Sequence, residues 1–270
     1  MTRRLPGTLF LRNLVERRSL LFQLVRRDFE QRYVGSAIGW IWGLIQPLVL
    51  LLSWTLVFGV FLHQKAPAGF HSYALYLFAG MLPWMLFSET LQRSATSLLE
   101  QANLITKTVF PAEIVPVSIF CSVLVGHALG LLLLIVAAGV LQNQLSAFLL
   151  LLPVYAFAIG LMAVGLGWIA ASLHVFLRDT AQVLSVILTF WFWVTPIFLT
   201  EDYYAKRTWT RYLLAANPMA YVVRGYRVIL LTSAPPNPTD LAIALAFGAA
   251  VFVLGGLFFR HMKRGFADVL

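Results

Sequence analysis

Six apolar runs, each long enough to cross a bilayer, constrain this chain more than any other feature. They cover about 38–62, 73–92, 113–141, 146–173, 181–199 and 241–259. A spanning helix needs roughly 20 consecutive, mostly apolar residues, because backbone polar groups in hydrocarbon can pair only with one another. Glu89 is the one formally charged residue in the interiors of these runs. The chain carries 11% charged residues, where a soluble domain has about 25%. The pattern predicts an all-α polytopic membrane protein with six transmembrane helices, an N-terminal amphipathic interface helix, and short external re-entrant helices before the last span.

Orientation follows from where Lys and Arg fall between the runs. Residues 1–37 hold eight, 93–112 hold Arg93 and Lys107, 174–180 hold Arg178, and the tail holds Arg260, Lys263 and Arg264. That places fourteen on one side and six on the other. Both termini are therefore expected in the cytoplasm. Residues 1–37 form a cytoplasmic interface segment, 38–260 the six-span domain, and 261–270 a cytoplasmic tail. The start of the chain does not read as a signal peptide: LFL after Arg3 and Arg4 is short, and Arg12 interrupts it. Insertion is expected to rely on the spans. Cys121 lies inside an apolar run and reads as a small buried side chain.

Three connections carry further signal. Segment 93–112 offers Leu98, Leu99, Ile105 and Val109 as an apolar stripe, with Pro111 ending a short helix. The turn from His174 to Thr180 sets Arg178 and Asp179 at the cytoplasmic surface. The connection 200–240 is external. Its NPMAYVVRGYRVILL, Asn217 to Leu231, has an Asn-Pro start and apolar periodicity, and reads as a short helix dipping into the outer leaflet. PPNP at 235–238 resets the chain before the last span.

Several chemistries lack a home. There is no GxxxxGK[ST] loop, no HExxH, no CxxC and no GxSG. Asp28 and Glu30 are two apart and point to different faces of a helix. Glu89 and Arg93, four apart, make a favourable helix pair, although an acid in a span is a functional candidate by default. His127 is suited to an interhelical hydrogen bond. A membrane-embedded enzyme acting alone, with a dispersed site, is the alternative from another class.

The stretch RRDFEQRYVGSAIGWIWGLIQPL, Arg26 to Leu48, sets a charged helix against the start of a span. Over residues 10–31, Phe10, Leu14, Leu21, Val25 and Phe29 alternate with Arg17, Arg18, Arg26 and Arg27. That suits a helix along the interface. Asp28, Glu30 and Arg32 break the basic face, and mixed charge suits a protein contact better than lipid alone. Gly35, Gly39 and Gly43 fit close helix packing or a tight bend at the entry. Trp40 and Trp42 fall where indole groups stay wet.

These stretches resemble the membrane subunits of type-2 ABC exporters for polysaccharides, the Wzm-like permeases of O-antigen and related glycan export. The likeness is carried by RDFEQRYVGSAIGWIWGLIQPL (27–48), NLITKTVFPAEIVPVS (103–118), FLRDTAQVL (176–184) with FWFWVTPIF (190–198), NPMAYVVRGYR (217–227) and the closing FADVL. The resemblance implies a cell inner membrane protein that works as a homodimer with two copies of a Wzt-like cytoplasmic ATPase. ATP and Mg would sit on that partner, with no cofactor on this chain. It implies ATPase coupling through the interface helix, with Asp28 and Glu30, through Glu100, Asn103, Leu104 and Lys107, and through Arg178 and Asp179. The substrate would be a lipid-linked glycan, its anchor phosphate met by Arg26, Arg27 and Arg32. Sugar rings present apolar C–H faces that stack on aromatic side chains. Tyr33, Trp40, Trp42, Phe190, Trp191, Phe192, Trp193 and Phe198 are the candidates for that path. Arg224 and Arg227 could meet headgroups or substrate acids, and the sequence leaves this open. Within the same permease class, the cargo could instead be a smaller lipo-oligosaccharide, a lipid, a capsule polymer, teichoic acid or a drug.

Overall fold

The structure is a computed structural model that describes residues 18–33, 39–67, 69–70, 72–107, 110–142 and 146–266. Among the described residues there is no strand. The helices are α1 Arg18–Tyr33, α2 Trp42–Trp54, α3 Tyr73–Glu100, α4 Ala102–Lys107, α5 Ile114–Gln142, α6 Leu152–Phe176, α7 Thr180–Val194, α8 Glu201–Ala205, α9 Thr208–Ala216, α10 Pro218–Leu231 and α11 Pro238–Met262. Phe10, Leu14, Arg17, Gly35 and FADVL beyond Phe266 lie outside the described residues.

Among the described residues, five stretches are long and apolar enough to cross a membrane: Trp42–Phe61, Tyr73–Glu100, Ile114–Leu141, Ala147–Phe176 and Pro238–Gly265. The run 181–199 differs from its expectation. α7 has 15 residues, about 22 Å of rise, against a hydrocarbon core of about 30 Å. It stops because Pro196 lacks an N–H and forces Thr195 into an extended conformation, φ −81° and ψ 134°.

Gly39 has φ +58° and opens a 3-10 turn into α2, and a Cβ there would meet nothing within 4 Å. Backbone conformation, not packing, calls for glycine at this position. α2 then runs into a wider π-helical stretch, Thr55–Phe61, where the Thr55 hydroxyl donates to the Leu51 carbonyl at 2.8 Å.

α3 is the centre of the bundle. It is buried along most of its length against α5, α6, α7 and α10. It also overruns the expected end at residue 92 and continues to Glu100. Ser94, Ser97 and Leu98 are buried there, so this part of 93–112 is core helix, not surface connection. Only α4, after Gln101, fits the short helix that was expected.

α6 and α11 pack backbone to backbone. A Cβ on Gly255 would come within 2.1 Å of the Gly165 carbonyl oxygen, and one on Gly248 within 2.9 Å of the Ala158 oxygen. Residues 158 and 165, like 248 and 255, are seven apart, so the small positions form one seam of close approach. α10 and α11 each begin on an Asn-Pro. The Asn217 side chain accepts from Met219 N at 3.0 Å and that of Asn237 from Thr239 N at 2.9 Å. α10 is buried from Pro218 to Leu231 over most of its faces, packed against α3, α6 and α11.

Candidate functional site

At the α1 end, two spans close on one surface-helix carboxylate. Asp28 accepts from Nη2 of Arg93 on α3 with Oδ1, and from the hydroxyl of Ser122 on α5 with Oδ2. Leu24, one turn earlier, is buried on the same face and packs α1 against α5. The Glu89–Arg93 pair exists at 3.9 Å, but the hydrogen-bonding partner of Arg93 is a residue 65 positions away. Asp28 is thus engaged within the chain. Arg26 and Glu30 lie on the outer face, paired at 2.7 Å. The hydrogen bond and charge of Glu30 raise the Arg26 pKa above its ordinary value.

A cleft of about 260 Å³ lies beneath α1, lined by Arg27, Asp28, Arg93, Thr96, Glu100 and Gln101 among others. Glu100 and Asn103 are exposed at this end, and Leu104 is half-buried. Arg178 and Asp179 are exposed in the turn between α6 and α7. Lys263 pairs with Glu113 at 2.7 Å, and the Trp168 indole donates to the Glu113 carbonyl at 3.0 Å. The candidates Glu30, Glu100, Asn103, Arg178 and Asp179 therefore share one end of the bundle. The side chains of Arg32, Tyr33, Trp40 and Lys107 lie outside the described residues.

The aromatic candidates divide by helix face. On α7, Val183, Val186, Ile187, Phe190 and Trp193 are all more than half exposed. Trp191 and Phe192 turn inward. Trp191 packs edge-on to Phe87 at 5.1 Å, and its indole donates to Asn217 Oδ1 at 2.9 Å. Phe198, beyond the bend, packs among Trp54, Phe58, Phe192 and Trp193, with its carbonyl taken by the Tyr73 hydroxyl at 2.9 Å. Trp191 and Phe198 hold the structure together, while Trp42, Phe190 and Trp193 face outward. α2 is similarly uncovered. In its spanning window 6% of residues are buried, against 78% for α3, so α2 must face something other than its own chain.

The two arginines of α10, open in the sequence, are both engaged internally. Arg227 is buried and donates to the carbonyls of Tyr76, Pro196 and Ile197 at 3.2, 2.6 and 2.7 Å. Its guanidinium sits over the Tyr76 ring at 3.6 Å. At Pro196 and Ile197 it satisfies carbonyls beyond the end of α7 that have no helical partners. Arg224 chelates Glu201 with two bonds of 2.8 Å and Asp240 with bonds of 2.8 and 2.9 Å. Burial disfavours its charged form, but the bonds and charges of the two acids outweigh this and raise its pKa. Asn217 Nδ2 also donates to Thr195 Oγ1 at 3.0 Å, locking the bend to α10. On α5, His127 Nε2 lies 3.1 Å from the Tyr226 hydroxyl, the interhelical bond expected of it.

Residues 19–231 match the family described as ABC-2 type transporter. The chain belongs to that family. The O-antigen export system permease protein RfbA of Myxococcus xanthus is 28% identical over 258 residues, covering 96% of this chain and 98% of that one. A protein of the same name from Klebsiella pneumoniae is 25% identical, covering 93% and 95%. The polysialic acid transport protein KpsM of Escherichia coli is 22% identical, covering 89% and 92%. This ABC-2 chain is a multi-pass membrane protein and a permease subunit, not itself an enzyme. The matched region runs from α1 through α10, so it contains the Asp28 junction, the α7 face and the arginine-locked bend.

Sequence reasoning missed three connections in this ABC-2 chain: Asp28–Arg93–Ser122, Trp191–Asn217–Thr195, and Arg227 at the bend. The Asn-Pro start and the Thr-Pro break were visible signals for the second. The other two join residues far apart in sequence and left no local trace.

Proposed function

We propose that this chain forms the channel half of an exporter that moves an O-antigen-like, lipid-linked polysaccharide across the bacterial inner membrane. Two copies would work with two copies of a Wzt-like cytoplasmic ATPase, which binds ATP and Mg. This chain itself would hold no cofactor. The α1 end would face the cytoplasm with both termini, and the α8–α10 end would face outward. α7 with its bend would serve as the fifth of six spans. The observation that carries the reading is near full-length similarity to permeases named for O-antigen export.

The geometry supports a division of labour. The outward faces of α2 and α7 carry Trp42, Phe190 and Trp193, all exposed. Between two copies, such faces would bound a path on which sugar rings stack without fixed register. Arg26 and Arg27, with Arg32, would meet the anchor phosphate at the cytoplasmic mouth. Glu30, Glu100, Asn103, Leu104, Lys107, Arg178 and Asp179 would receive the ATPase. Asp28 would act one step removed, by holding α1 on α3 and α5.

The experiment is gentle purification from native membranes with intact mass determination, followed by an ATPase assay. Two copies of this chain with two of a chain carrying a phosphate-binding loop, and ATP hydrolysis stimulated by lipid-linked glycan, are the expected results. A lone chain active without nucleotide would sink the proposal.

A further inference from the structure

α9 turns its apolar side away from the rest of the chain. Trp209, Tyr212, Leu213 and Ala216 recur at i, i+3, i+4 and i+7 and so share one stripe. All four are exposed, Trp209 by 58% and Tyr212 by 71%. Thr210 and Leu214 form the half-buried edge toward the protein.

The helix is nonetheless held at both ends. Near its start, the Thr210 hydroxyl donates to the carbonyls of Tyr204 and of Arg207. Near its end, the Tyr221 hydroxyl donates to the Ala215 carbonyl at 2.7 Å. Tyr204 in turn donates its hydroxyl to the Trp193 carbonyl at 2.9 Å, in the last turn of α7. The stripe is therefore a fixed feature, displayed just beyond the end of a membrane helix. Three exposed cations border the helix: Lys206, which lies over the Tyr203 ring, and Arg207 before its start, and Arg211 on the polar side away from the stripe. Of the two acids nearby in sequence, Glu201 and Asp202, the first is bound by Arg224.

Tryptophan and tyrosine beside lysine and arginine suit the boundary between lipid and water. Rings and aliphatic groups enter the acyl edge, polar tips stay wet, and cations meet phosphates. We propose that α9 is an interfacial anchor that lies in the headgroup layer of the leaflet at this end. It takes anionic phospholipid, with Lys206, Arg207 and Arg211 on the lipid phosphates. A stacking platform for sugars would not need Leu213 and Ala216 in line with the rings. A two-fold contact with a second copy would bring like cations together.

The test uses the full chain with Cys121→Ala and Tyr212→Cys, a nitroxide on the new thiol, in nanodiscs of phosphatidylcholine with phosphatidylglycerol. The expected result is stronger collision with oxygen than with a water-soluble nickel chelate. A label that favours nickel overturns the proposal and leaves the stripe to a soluble ligand such as a glycan. Strong dipolar broadening between labels overturns it in favour of self-association. Retained lipid gives the second readout. Replacing Lys206, Arg207 and Arg211 by Gln should lower the ratio of bound phosphatidylglycerol to phosphatidylcholine by about five-fold or more. An unchanged ratio removes the anionic-lipid assignment. Should the triple variant not fold, Arg211→Gln alone is read for a smaller fall in the same direction.

Discussion

The Arg227 guanidinium donates to the Pro196 carbonyl at 2.6 Å, which ties the helix inserted at one end of the bundle to the bend that ends α7. The contact explains how a proline break can sit in a buried place. The Pro196 and Ile197 carbonyls at the break are collected by one cation that also rests on the Tyr76 ring. Arg227→Ala strands those carbonyls and leaves a cavity. We expect a loss of about 3 kcal/mol or more, read as a fall in the melting temperature of the purified chain. A shift within error would mean that water or lipid satisfies the bend instead.

Gly255 and Gly256 are adjacent and should respond differently. Gly255→Ala drives a methyl into the Gly165 carbonyl, whereas a Cβ on Gly256 would stand 3.5 Å from the Trp168 ring. The first should cost about 1–3 kcal/mol, and the second should be near neutral. Equal melting temperatures for the two variants would refute the seam as drawn.

Asp28 and Glu30 have different partners on different faces of α1 and should respond differently to substitution. Asp28→Asn should loosen α1 from α3 and α5, seen as faster amide exchange across Arg18–Tyr33. Glu30→Gln should leave that exchange unchanged, since its partner, Arg26, lies on the outer face. Exchange that rises equally in both variants would remove the special position of Asp28.

The α7 face gives a further contrast. Phe190→Ala and Trp193→Ala should lower glycan export while chain abundance holds. Trp191→Ala should instead lower stability, by roughly 3 kcal/mol, because it removes the Phe87 contact and the Asn217 bond. Export that survives loss of both outward rings would exclude them from the path.

Neutralising Arg26 and Arg27 to Gln should reduce export more than it reduces membrane insertion. Comparing transported glycan with chain abundance in isolated membranes checks this. Normal export at normal abundance would remove both arginines as anchor-phosphate ligands.

Most of the helical layout was legible, because hydrocarbon admits few alternatives to a helix and the apolar runs announce it. The Asn-Pro start of α10 was legible for a local reason, a capping side chain followed by a residue without an N–H, whereas the same pair at Asn237 read only as a break before the last span. What stayed hidden depends on partners distant in sequence. Arg93 reads as the charge that ends a span, yet α3 continues to Glu100 and Arg93 bonds Asp28 of α1. FWFW at 190–193 reads as one aromatic block, but a helix advances 100° per residue and sorts it into two faces. Arg227 reads as an external cation and is instead among the more buried residues.

α3 is held near both of its ends: Arg93 by the surface helix, and Tyr76 beneath the Arg227 that grips the bend. Its 28 residues span about 42 Å, with Pro83 in its interior. A small tilt of so long a helix displaces its far end. A tilt of about five degrees around one end carries the other through nearly 4 Å, by the rise of the helix. The contacts of α1 and of the Pro196 bend thus meet on one continuous helix, with no loop between them.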